Sequence, residues 1–252
     1  MIKRSNRQTY EFKPSLSLGI GAICVLGRGI EKVHTRSGDV WKPTRYIERP
    51  TSKGAHSGER VPGNNLNDDI SLIAGAHANV LAACQLFEEL KASGDTPHIV
   101  VFAAGRPAYL ASDPDPSLSE GRVLADVFIR KLRGATLDTE ILVLSHNRDT
   151  KDDIDECMTL ALSRGISGLA VITVGLHIAR ASEFAKLAPQ YGKGIDLRFI
   201  AAEELLLRRY ATFSSLRGRL TSIANSPAYK RTLDRENRGI EALRSGGYKR
   251  SV

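Results

Sequence analysis

HIVVFAAGR (His98–Arg106), EILVLSHN (Glu140–Asn147) and LAVITVGLH (Leu169–His177) decide the fold of this chain. Each run is rich in Val and Ile and lacks strict apolar and polar alternation, which suits a strand covered on both faces. The segments between them are long enough for crossover helices, so the pattern is repeated βαβ with a parallel sheet. Upstream, IGAICVLGRG (Ile20–Gly29) reads as the first core strand running into a glycine-rich loop, and IDLRFIAAEELLLRRY (Ile195–Tyr210) supplies a last strand and helix. The expected fold class is α/β: a Rossmann-like, doubly wound, mostly parallel sheet of about five strands with a helical C-terminal extension.

Helical spacing fills the gaps. Leu72, Ile73, Ala76, Val80, Ala83, Phe87 and Leu90 form one apolar face, with Gly94 as a stop. SLSEGRVLADVFIRKL (Ser117–Leu132) offers Val123, Val127 and Leu132, and a helix from Thr150 to about Arg164 carries Ile154, Met158 and Leu162. A further helix is expected from about Ile178 to Leu187. The polar, basic stretch 1–17 reads as an arm, 18–213 as the α/β domain and 214–252 as a basic helical tail. Within the domain, 31–69 lacks usable periodicity and reads as a long loop, either a lid or disorder.

At 252 residues and 42% hydrophobic content the chain can bury a full core. Its formal charge of +8 is uneven: Ser215–Val252 holds nine Lys or Arg against three Asp or Glu. That tail is open to two readings, a solvated helical extension or a surface for nucleic acid, a phosphorylated ligand or an acidic partner. Zinc-finger spacings and RNP-like aromatic motifs are absent, which weakens the nucleic-acid reading. Cys24, Cys84 and Cys157 each sit in an apolar or amphipathic run and read as buried thiols of a reducing compartment. Glycines interrupt Leu16–Ile30, which is also too short to span a bilayer. The expectation is a soluble cytoplasmic protein without a membrane partner, its oligomeric state left open.

On a parallel sheet, ligands bind beyond the carboxyl ends of the strands, so the four strand-end loops are where chemistry is sought. Gly27 and Gly29 flank Arg28, which suits backbone and guanidinium contact with a phosphate; two glycines can equally serve only the turn. Gly105 and Arg106 leave the second strand. Ser117 and Glu120 match a capping box, and Ser119 falls in the first turn of a helix start able to hold an anion. Thr150 and Asp153 repeat the capping pattern, which does not account for Asn147, Arg148 or Asp149 just before it. His177 and Arg180, three residues apart, share a helix face beside Thr173. Glu120, Asp149 and His177 are the candidate acid or base groups, with Gly27, Arg28, Gly29, Gly105, Arg106, Ser119, Asn147, Thr150 and Arg180 the candidate ligand contacts. Neither a GxSxG elbow, an HExxH pair nor a kinase signature is present, and no metal site is assigned, although loose ligation of a divalent ion by those acids stays open.

In order and spacing these loops resemble the YdcF, SanA and ElyC family of bacterial proteins, domain-of-unknown-function 218. VLGRG resembles its first glycine loop, VVFAAGR followed by Ser119 and Glu120 its SGG and SE pair, NRDTKDD its polar helix start, and TVGLHIARA its His and Arg segment. The resemblance covers roughly Ile20 to Leu187. Ala104 and Arg106 replace the usual Ser and second Gly, Arg28 a middle Gly, and Asn147 a common Ser. Leu144 stands at a position that is often acidic, and His77 or Asn79 near one that is often Arg. The resemblance implies a Rossmann-like domain; one branch is associated with S-adenosylmethionine and membrane-anchored branches with envelope polysaccharide or lipid-carrier metabolism. The expected function is that of a soluble member binding a nucleotide-like or phosphate-bearing small molecule, such as S-adenosylmethionine, a nucleotide or a nucleotide sugar. Whether it also transforms that molecule, as a transferase or a phosphoester or pyrophosphate hydrolase, stays open. The alternative is a nucleic-acid-associated or assembly protein that uses the basic tail and has a vestigial cleft.

Overall fold

A computed structural model describes residues 19–44, 75–106, 110, 113–136, 138–147, 149–209, 220–221 and 223–248. Its main sheet contains β1 (Ala22–Leu26), β4 (Ile99–Ala103), β5 (Glu140–Leu144), β6 (Gly168–Thr173) and β7 (Asp196–Ala201) in the order β5-β4-β1-β6-β7, every pair parallel. This is the doubly wound, Rossmann-like α/β arrangement. The connections reverse direction at β1, whose neighbours on the two sides are β4 and β6.

The uninterrupted apolar runs follow from burial on both faces of the sheet. Ile23 and Val25 of β1 enter one core and Ala22, Cys24 and Leu26 the other. The first core is closed by α1 (Ala76–Ala92), α2 (Glu120–Leu132) and α5 (Ala202–Arg209). There Phe128 meets Phe87 and Phe102 edge-on, with ring centroids 5.7 and 5.3 Å apart, a geometry worth about 0.5–1.5 kcal/mol per pair beyond area burial. The second core is closed by α3 (Thr150–Ser163) and α4 (Gly175–Lys186).

Two expectations are corrected here. The polar stretch after Gly29 is not loop throughout, because β2 (Ile30–Thr35) and β3 (Gly38–Pro43) pair antiparallel as a hairpin, with Gly38 at φ +113°. Lys32 lies over the Trp41 ring and the indole N–H donates to Asp113, so cross-strand and loop contacts replace a clear period-2 pattern. The remainder, 45–69, lies outside the described residues, as do the expected arm 1–17 and the helix start at Leu72 and Ile73.

The second correction concerns the C-terminal region. α6 (Pro227–Arg244) is not simply solvated: it packs on α4 and buries Ala228, Thr232, Glu236 and Ile240. Leu243 and Tyr248 join the second core, Tyr248 meeting Phe184 edge-on at 5.3 Å. Its start is capped by Ser226, whose hydroxyl accepts from the Tyr229 N–H, with Pro227 at the first helical position.

Candidate functional site

The four strand-end loops converge. Ala104 and Glu120 close around Gly27, where an added Cβ would lie 2.4 Å from the Ala104 Cβ and 2.6 Å from the Glu120 carboxyl carbon. Asn147 packs on Gly105, where a Cβ would meet its carbonyl oxygen at 1.8 Å. Thr150 reaches His177, Oγ1 to Nε2 3.3 Å, joining the ends of β5 and β6. Both glycines are therefore required by close approach of chain to chain.

Most of the donors expected to cradle an anion are engaged internally. The Gly29 N–H donates to the Glu120 carboxylate and the Gly27 N–H to the Ala103 carbonyl. At the start of α2 the Glu120 and Gly121 N–H groups donate to the Gly105 and Ala104 carbonyls, and Ser119 caps the helix by accepting from Arg122 N–H. The cap is therefore Ser119, not the expected Ser117, whose hydroxyl and N–H both donate to Asp115. Asp149, not Thr150, caps α3, taking the Lys151 and Asp152 N–H groups at 3.0 Å each. Asp153 instead accepts from the Asn147 amide at 3.0 Å. Glu203 receives the Gly175 N–H that opens α4. Arg148 lies outside the described residues.

Arg106, expected as a ligand contact, is engaged by its own loop. Its guanidinium donates to the carbonyls of Leu110, Asp113, Asp115 and Leu118 at 2.6–2.9 Å, holding the loop before α2 in place. Five donors in a rigid fork suit that many acceptors.

The remaining cations gather between β1 and β6, around a residue that the sequence reading missed. Glu236, on α6, lies 3.6 Å from Arg28 Nη1, 2.8 Å from Arg180 Nε and 2.9 Å from His177 Nδ1. His177 is 1% exposed and Glu236 4%, so these charges interact in a poorly solvated place. Burial, then the Arg28 charge, lower the pKa of His177 to about 4. The imidazole is thus neutral at pH 7. Facing a carboxylate, its Nδ1 carries the proton and donates to Glu236, which leaves the Nε2 lone pair to accept from the Thr150 hydroxyl. Burial works to raise Glu236, but the His177 hydrogen bond and the two guanidiniums outweigh it and hold the carboxyl below its ordinary range. Arg28 is lowered, chiefly by burial and against the attraction of Glu236.

Thr44 fixes Arg28 from behind. Its hydroxyl donates to the Arg28 carbonyl at 3.2 Å and accepts the Ala76 N–H at 3.0 Å, tying loop, hairpin and α1 together. Asn79 donates to the Leu26 carbonyl at 2.8 Å, anchoring the end of β1. Beside the cluster, Asp153 is pushed well above the carboxylate range by burial, reinforced by the nearby charges of Glu120, Asp149 and Asp152.

Among the described residues no set of His, Cys, Asp and Glu is arranged to hold a metal ion, and no helix is long and apolar enough to cross a membrane. Glu236 was missed because periodicity places it on a helix but says nothing of where that helix docks, and Asp234 and Glu241 stand beside it in the same basic tail. No protein-family model, curated protein or solved structure matches the chain.

Proposed function

We propose that the chain binds a small phosphate-bearing molecule, of the nucleotide or nucleotide-sugar kind, at the crossover between β1 and β6. The observation that carries this reading is the meeting of Arg28, from the loop after β1, and Arg180, from the second turn of α4, at the carboxyl edge of the sheet. The crossover of a doubly wound sheet is where such folds take ligands. Guanidinium groups suit phosphate oxygens because their planar donors engage two at once. The loops' order and spacing, which resemble the YdcF group, agree with a small-molecule site here.

Recognition then runs through side chains and not through a backbone cradle, since Gly29, α3 and α4 already give their first donors to Glu120, Asp149 and Glu203. The Thr150 hydroxyl and His177 stand beside the arginines as polar, proton-bearing groups. Isothermal titration of the full chain against pyrophosphate, nucleotides, nucleotide sugars and S-adenosylmethionine tests the reading. At least one phosphate-bearing compound binds, and Arg180→Gln weakens it by about tenfold or more, the cost of a charge-assisted contact. Folded protein that takes up none of them refutes it.

A further inference from the structure

The carboxylate that bridges the arginine pair comes from an element outside the α/β core. The other acids that occupy donors here, Glu120, Asp149 and Glu203, stand at the starts of helices directly following the strands. Glu236 is brought in by α6, after β7 and α5 have completed the sheet and its cover. A buried ion cluster is a poor device for stability, because desolvation offsets the Coulomb gain, whereas its replacement by a competing anion is chemically direct.

The fit of Glu236 is incomplete in two ways. The single charge of Glu236 faces two guanidiniums, with Glu120 adding attraction to Arg28. The N–H of Arg180 Nε, although 2.8 Å from the carboxylate oxygen, meets no aligned acceptor among the described residues. A group with more oxygens and a second negative charge satisfies both.

We propose that Arg28, His177 and Arg180 form the receiving site for a dianionic phosphoryl group, and that Glu236 of α6 is its built-in occupant, displaced when the ligand enters. This rests on the function proposed above and adds its regulation. The donors do not change: Nδ1–H of His177 and the two guanidiniums turn from a carboxylate to a phosphoryl group. Because Glu236 is tethered, it competes at a high effective concentration, and ligand affinity is reduced accordingly.

Pyrophosphate is the probe, since it carries no base or sugar and reads the cradle alone. Titration of the full chain and of Glu236→Gln, with amide hydrogen exchange across 227–244 in the wild type, tests the proposal. Glu236→Gln binds pyrophosphate at least tenfold more tightly, and α6 exchanges faster in wild type saturated with pyrophosphate. If both proteins bind equally, or the variant binds more weakly, Glu236 is a positioning residue and the displacement idea fails while the anion site stands. If neither binds, both fail. Should Glu236→Gln not fold, exchange in the wild type decides: faster exchange on binding supports displacement, and unchanged or slower exchange overturns it, as does absence of binding.

Discussion

A neutral imidazole wedged between two guanidiniums and a carboxylate makes the stability of this fold depend on pH in a definite direction. His177 takes a proton near pH 4 in the folded chain and near its ordinary 6.5 once unfolded. Its contribution is therefore complete above pH 6.5 and is lost as the pH falls toward 4, because the unfolded state binds the proton first. The loss amounts to roughly 3 kcal/mol over that window. Asp153, raised by burial, works the other way, so the His177 effect must be isolated by difference. Urea denaturation of wild type and His177→Gln between pH 4 and 7.5 does this: the advantage of the wild type shrinks as the solution is acidified. A difference that stays flat with pH means that His177 does not sit neutral in the fold. At this scale the sequence showed which residues stand at strand ends, His177, Arg180, Thr150 and Arg28 among them. It did not show their partners, since Glu236 lies 59 positions from His177 in the chain and no local pattern joins the two.

Between elements, what was readable was whatever one strand or helix determines by itself. The parallel strands were legible because burial on both faces leaves an apolar run, and the helices because one buried face leaves a period. The hairpin of β2 and β3 was not, since its stability comes from Trp41 reaching Lys32 and Asp113, contacts with no sequence period. The segment before α2 shows the same limit. Arg106 read as a ligand cation because it follows a strand, yet four carbonyls take its fork. Arg106→Ala should then lower stability by about 2 kcal/mol or more, since four acceptors lose a charged donor. Arg106→Lys should recover less than half of this, because an ammonium keeps the charge but cannot span the acceptors. Both are read from the denaturation midpoint, and a Lys variant as stable as wild type removes the structural role assigned to Arg106.

The whole molecule is an α/β/α sandwich whose second face is partly closed by a late-coming helix. α6 buries only one stripe, leaving Lys230, Arg235 and Arg238 exposed, so the charge excess that marked the tail coexists with a docked face. Its attachments are of several kinds: Ala228, Thr232 and Ile240 buried along the helix, Tyr229 and Leu243 against the two cores, the ion cluster at Glu236, the Arg244–Glu183 ion pair, and Tyr248 on Phe184 beyond its end. A peripheral helix opens at lower free energy than the buried sheet it covers, which is what displacement of Glu236 by a ligand requires. Tyr248→Ala removes one attachment without touching the charges. Losing the ring pair costs about 1 kcal/mol, and that cost should fall on the docking of α6 alone. Amide exchange across 227–244 then accelerates severalfold while β1, β4 and β6 keep their protection. If the strands lose protection in step with the helix, α6 is an inseparable part of the global fold and cannot serve as a displaceable cover.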